Sequence, residues 1–174
     1  MKPNSWRRRL LKDGILLSSG RDILSEDYTN EPTGIPYLTG PSDFPDGQIL
    51  VTKYTNNPEV ICERGDILLT VKGSGTGKIV RADREYCISR QLMAIRVKKK
   101  KWDGGFVFYY LEHNNARYED AAAGLIPGIT REDVLQTPIL LPPFPEQRRI
   151  AEILSTWDEA IALIEQRIVA AQQR

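Results

Sequence analysis

The chain has 174 residues, 41% of them hydrophobic, enough for one packed domain of ordinary size plus an appendage. No apolar run approaches the roughly 18 residues that span a membrane. A formal net charge of +1 excludes the strongly basic balance of a stand-alone nucleic-acid binder. The 20 basic and 18 acidic residues before Glu146 leave the body as neutral as the whole, so any DNA contact must rest on local clusters.

The N-terminal stretch MKPNSWRRRLLKDGILL puts basic residues before a few apolar ones. Lys12 and Asp13 interrupt it and no small-residue cleavage site follows, which argues against a signal peptide. Trp6-Arg7-Arg8-Arg9 reads either as a basic arm or as a disordered terminus. Turn residues from Gly20 to Gly47 precede strand-like runs at Gln48–Tyr54 and Asp66–Val71. Cys62 and Cys87 fit no metal spacing and read as buried thiols rather than a bridge.

Gly73-Ser-Gly-Thr-Gly-Lys78 invites reading as a phosphate-binding loop. Lys72 stands where that motif needs its first glycine, and Ile79 where it needs a hydroxyl for magnesium. Two readings remain. One is a glycine-rich hairpin; the other is a loop whose amides, with Lys72, Ser74, Thr76 and Lys78, approach a DNA backbone or groove. Ile79–Val80 and Ile88–Val97 read as strands. Within the second, Ser89, Arg90 and Gln91 include two side chains suited to base edges, Arg for guanine and Gln for adenine, although a structural role for Gln91 is equally open.

Lys98, Lys99, Lys100 and Lys101 end that strand beside Trp102. The run is either a solvated turn or a phosphate-neutralising patch with an indole that can stack on a sugar or base. Phe106–Leu111 reads as the best helix of the body, Thr130 and Asp133 as a capping box, and Pro138–Leu141 as a short strand.

The final segment has the strongest pattern. Pro145 suits a first helical position and Glu146 puts negative charge in the first turn. Ile150, Leu154, Trp157, Ile161, Ile164, Ile168 and Ala171 then alternate steps of four and three, the repeat of a coiled-coil seam. Ile153, Ala160 and Leu163 widen the apolar face. The helix either folds back on its own domain or meets a partner.

Catalytic patterns are absent. His113, the one histidine, stands beside Asn114 and Asn115 at a helix end, where capping or solvation is its expected role. LPPF at 141–144 resembles an amino-methyltransferase motif but has Leu141 in place of the hydrogen-bonding residue. Asp83 and Glu85 lack the lysine a nuclease cluster needs. The chain is not expected to be an enzyme by itself.

LPPFPEQRRIAEIL resembles the entry to the spacer helix of type I restriction–modification specificity subunits. Leu141, Pro142, Pro143, Glu146, Gln147, Ile150, Ala151 and Leu154 match the family's pattern. GIPYLTGPSD (34–43), ERGDILLTVKGSGTGK (63–78), CISRQLMAIRV (87–97), FVFYYL (106–111) and GLIPGITREDVLQTPILLPP (124–143) resemble further family segments in the same order. The likeness runs from about Ile15 to near the end.

That resemblance implies an α+β fold: one mixed globular target recognition domain over 1–144, followed by a long coiled-coil-type helix over 145–174. It implies a cytoplasmic, non-catalytic specificity component that binds one half of a split site in double-stranded DNA. The helix would pack antiparallel on a second spacer helix and dock modification subunits, with a restriction subunit joining. S-adenosylmethionine, ATP and magnesium would belong to those partners. Full-length members carry two recognition domains and two spacer helices; with no internal repeat, this chain resembles a half-subunit, natural or truncated. A homodimer through the helix, with Ile150, Leu154, Trp157, Ile161, Ile164 and Ile168 at the interface, is expected. The competing reading is a protein-interaction module or cryptic fragment that does not bind DNA alone.

Overall fold

The computed structural model describes residues 5–73, 75–98, 100–116, 118 and 128–172. The fold is α+β, with a long C-terminal helix. Its centre is an antiparallel sheet of four strands in the order β2 (Ile15–Ser19), β10 (Leu92–Val97), β7 (Ile67–Thr70) and β8 (Ile79–Arg81). Register is set by pairs such as Ile95 with Leu17 and Ala94 with Leu68.

The two middle strands are buried on both faces, which is why they read as nearly continuous apolar runs. Ile67, Leu69, Met93 and Ile95 face one core, shared with helix α1 (Gly104–His113) and with Ile139 and Ala151. Leu68, Leu92 and Ala94 face a second core, closed by Leu38, Phe44, Tyr86 and Ile88. That second layer is a five-stranded mixed sheet in the order β3 (Tyr28–Thr29), β5 (Tyr54–Thr55), β4 (Ile35–Leu38), β9 (Tyr86–Ile88) and β6 (Ile61–Cys62). β4 and β9 run parallel and the other pairs antiparallel.

Arg96, near the end of β10, is tied down by two bonds to the buried Asp66 carboxylate just before β7 (2.9 and 2.7 Å) and one to Glu63. Cys62 and Cys87 are free and buried, as their spacing suggested; burial pushes the Cys62 thiol up to about 12.

Several expectations shift. Residues 48–53 form no strand; only Tyr54–Thr55 pairs, because Leu50 N–H is drawn to the Asp43 carbonyl in the preceding turn (2.9 Å). The run from Ile88 to Val97 is broken at 89–91, where the buried Ser89 hydroxyl donates to the Thr39 carbonyl at 2.6 Å. Arg7–Leu10 is neither arm nor disordered end but strand β1, paired antiparallel with β11 (Pro138–Leu141). The capping box holds: Thr130 Oγ1 accepts from Asp133 N–H (3.2 Å) and the Asp133 carboxylate from Thr130 N–H (2.8 Å), starting helix α2 (Arg131–Leu135).

Helix α3 runs Phe144–Gln172, 29 residues and about 44 Å long. It starts one residue earlier than expected, since the Pro143 carbonyl accepts from both Glu146 and Gln147 N–H groups. Its root is anchored through Gln147, which is fully buried. The Gln147 amide donates to the carbonyls of Pro142 (2.8 Å) and Lys101 (3.0 Å), and its oxygen accepts from Asp103 N–H (2.9 Å).

Candidate nucleic-acid interface

The residues singled out from the sequence fall into two groups at opposite ends of β10. Gln91 precedes the strand and its carbonyl accepts from Val71 N–H (2.8 Å), which brings the Lys72–Lys78 loop to this end. Lys98 follows the strand and its N–H donates to the Gly14 carbonyl (3.0 Å). The six residues of β10 separate Gln91 from Lys98, seven steps of extended chain or about 23 Å at roughly 3.3 Å per step. The two groups therefore do not form one patch.

At the first end, Lys72 and Lys78 are exposed. The loop is a tight turn: Thr76 donates through both N–H and hydroxyl to the Gly73 carbonyl, and Gly77 N–H returns to the Thr70 carbonyl (2.8 Å). Gly73 takes a positive φ of 93°, a conformation that a side chain would strain. Ser74 lies outside the described residues. Facing this loop is a second turn, Pro41–Asp43. The buried Asp43 carboxylate braces it by accepting from Thr39 N–H (2.6 Å), Thr39 hydroxyl (2.9 Å) and Gly40 N–H (3.3 Å).

The Gln91 side chain lies between the two turns. A methyl group at Gly40 would come within 2.6 Å of Gln91 Oε1, and one at Gly73 within 3.1 Å. Pro41, Ser42, Gly73, Gly75, Lys78 and Gln91 line an open cleft of about 420 Å³. Its walls present small residues, one cation and one amide with both donor and acceptor capacity. Such a surface lets a nucleic-acid backbone approach closely while a polar side chain reaches a base edge. Arg90 is exposed nearby, its Nε paired with Asp22 at 2.8 Å. That pair is solvent-exposed and cheap to exchange for a phosphate.

At the other end, Lys98, Lys100 and Lys101 are exposed, and Lys99 lies outside the described residues. Trp102 corrects the expectation of a stacking indole. It is only 6% exposed, packed in the core beside Phe106 and Leu11, with Gly14 lying flat against its ring. A methyl at Gly14 would meet the ring at 2.3 Å, so glycine is what lets the indole in.

The C-terminal seam separates in the same way. Ile150 is half-buried against the domain's own core. Leu154, Trp157, Ile161, Ile164 and Ile168 are exposed, from 37% at Leu154 to 65% at Trp157. The helix thus lies against its domain along its first half, as far as Asp158, and presents the exposed stripe beyond and beside that contact.

Sequence reasoning missed three functional or supporting features. Ser42 enters the cleft through the Gly34–Asp43 segment, which carried a family likeness but no chemical signal. Gln147 was legible only as a motif letter. Tyr109, which donates to Asp158 of α3 at 2.6 Å, had no signal. Among the described residues no group of three or more His, Cys, Asp or Glu side chains is placed to hold a metal ion. Among the same residues no helix is long and apolar enough to cross a membrane.

The model of the type I restriction modification DNA specificity domain matches residues 3–173. A protein of Methanocaldococcus jannaschii described as a putative type I restriction enzyme MjaX specificity subunit is 34% identical over 145 residues, covering 83% of this chain and 34% of that protein. The HsdS subunit from Thermoanaerobacter tengcongensis superposes with a TM-score of 0.79 at 27% identity, over 95% of this chain and 40% of that one. A chain in a structure concerned with complex assembly and conformational transition of the type I R-M system gives 0.82 at 26% identity, over 95% and 41%. The chain spans about a third to two-fifths of the length of these relatives. The matched span, 3–173, takes in both sheets and the helix, and the chain belongs to the type I restriction modification DNA specificity domain family.

Proposed function

We propose that this chain is the DNA-recognition component of a type I restriction–modification assembly and directs partner subunits to a bipartite site in double-stranded DNA. What supports this reading is the family match across residues 3–173, on a fold that sets a polar cleft apart from a free apolar helix. The recognition face in this reading is the end of β10 carrying Lys72, Thr76, Lys78, Arg90 and Gln91. Lys78 and Lys72 neutralise phosphates, and Gln91 and Arg90 reach base edges.

The exposed stripe Leu154, Trp157, Ile161, Ile164 and Ile168 pairs antiparallel with the same stripe of a second copy, giving a two-fold unit. Modification subunits dock on that helix pair and a restriction subunit joins them in the cytoplasm. The chain itself does no chemistry: methyl transfer from S-adenosylmethionine, and ATP- and magnesium-dependent cleavage, belong to the partners.

The near-neutral body favours one other reading, a protein-interaction module that does not contact DNA on its own. The two are separated by presenting the chain, assembled with its modification subunits, with a library of randomised duplexes at two salt concentrations. Recognition predicts enrichment of one bipartite sequence and an affinity that falls with salt. A stable assembly that enriches no sequence supports the interaction module.

A further inference from the structure

Among the described residues, helix α3 is tied to its domain at two places. The first is the root: Gln147 with its three hydrogen bonds, Trp6 Nε1 donating to Glu146 (3.2 Å), and Ala151 packed on Gly105, where a methyl would meet the Ala151 Cβ at 3.0 Å. The second lies eleven residues beyond Gln147, about 16 Å along the axis at roughly 1.5 Å per residue. There the Tyr109 hydroxyl of α1 donates to Asp158 Oδ2 at 2.6 Å. Gln147, Ala151, Ser155 and Asp158 follow one another at steps of four, four and three, so they share the side of α3 that faces the body. Ser155 is half-buried. After Asp158 every described residue of the helix except Ala162 is exposed. Tyr109 and Asp158 thus make the outermost tie seen between helix and body. Burial and the Asp158 carboxylate push the Tyr109 phenol up, which keeps its proton in place as donor.

We propose that the Tyr109–Asp158 hydrogen bond is a strut that fixes the angle at which α3 leaves the domain, and thereby the length of the unread gap between two half-sites. The proposal rests on the homodimeric reading above. A root alone is a pivot; a second fixed point converts it into a defined direction. The lever is long enough to matter. A tilt of about 10° displaces the end of a 44 Å rod by roughly 8 Å, more than two base pairs at about 3.4 Å each. Tyr109 is thus a positioning residue: it touches no DNA, and its loss leaves the bases read in each half-site unchanged.

The test is methylation mapping in cells that express this chain with its modification subunit, comparing wild type with Tyr109→Phe, Asp158→Ala and Asp158→Asn. The wild type should modify one gap length. Tyr109→Phe and Asp158→Ala should modify the same half-sites at that gap and at gaps one or two base pairs longer or shorter. Asp158→Asn keeps an acceptor oxygen and should hold the single gap. A single unchanged gap for both Tyr109→Phe and Asp158→Ala overturns the proposal, as does loss of modification at every gap with the fold intact.

Should the wild type modify no interrupted site, the reading of function fails, and the strut is judged by spin labels on Glu31→Cys and Arg167→Cys. The labelled chain is diluted into unlabelled chain. Tyr109→Phe should broaden the distance distribution; an unchanged width overturns the strut.

Discussion

The backbone N–H of Asp103 donates to the side-chain oxygen of Gln147 at 2.9 Å, and Asp103 in turn caps α1 by accepting from Phe106 N–H at 2.9 Å. The first turn of the long helix and the start of the body's main helix therefore share one hydrogen-bonded joint. This is the physical content of the Glu-Gln pair in the proline-rich motif: a buried amide that satisfies one donor and two acceptors at once.

Gln147→Met keeps the volume and removes those bonds, leaving Asp103 N–H and the carbonyls of Lys101 and Pro142 without this partner. Each buried polar group left unpaired costs about 1–3 kcal/mol, so we expect a loss of about 3 kcal/mol in urea unfolding. A change below about 1 kcal/mol would mean that water replaces the amide and the joint is not structural.

Trp102→Ala should destabilise the domain by about 3–5 kcal/mol, the range for removing a buried aromatic side chain. Trp102→Phe should leave DNA affinity of the assembled complex as in the wild type. A fall in affinity with the fold intact would return the indole to the DNA face.

Ile161→Asp puts a charge in the middle of the exposed stripe. The domain should keep its fold, because Ile161 touches solvent rather than core, and the chain should sediment as a monomer. A wild-type chain that is itself monomeric at tens of micromolar would contradict pairing through α3.

The two lysine groups make opposite predictions. Lys72→Ala with Lys78→Ala should lower the salt slope of DNA binding by about two units, close to one per phosphate contact. Alanine at Lys98, Lys100 and Lys101, some 23 Å away along β10, should leave the slope unchanged. The reverse result would place DNA at the helix root.

Glu112 lines a cleft with Phe44, Lys78 and Asn115, and desolvation there, helped by the Asp158 charge, raises its carboxyl above the usual range. A raised carboxyl means the folded chain binds its proton more tightly than the unfolded chain. Stability from this group is then full below the ordinary Glu value of about 4.3 and declines as pH rises through the folded value. Glu112→Gln should raise the melting temperature at neutral pH and lose that advantage below about pH 4. An advantage that persists unchanged in acid would assign the gain to something other than ionisation.

Local chemistry made much of this fold legible. The α3 seam, the Thr130–Asp133 cap and the strands at Ile67–Thr70 and Pro138–Leu141 all follow from neighbours in sequence. What failed to show depended on residues far apart. Arg7–Leu10 becomes a strand only because β11 lies beside it, over a hundred residues on. Trp102 is buried because Gly14, from a different element, vacates the space its ring fills. Leu92 and Ala94 are buried because a second sheet, built from strands distant in sequence, covers them. The same strand sets the Lys72–Lys78 loop and the Lys98–Lys101 run at its opposite ends.

Methylation mapping of cells that express the chain with its modification subunit bears on the whole reading at once. Two identical recognition domains on a two-fold axis should mark an interrupted palindrome, identical half-sites inverted about a fixed gap. An asymmetric bipartite site would show that a second, different recognition domain completes the unit, and the absence of any marked sequence would show that this chain does not specify DNA.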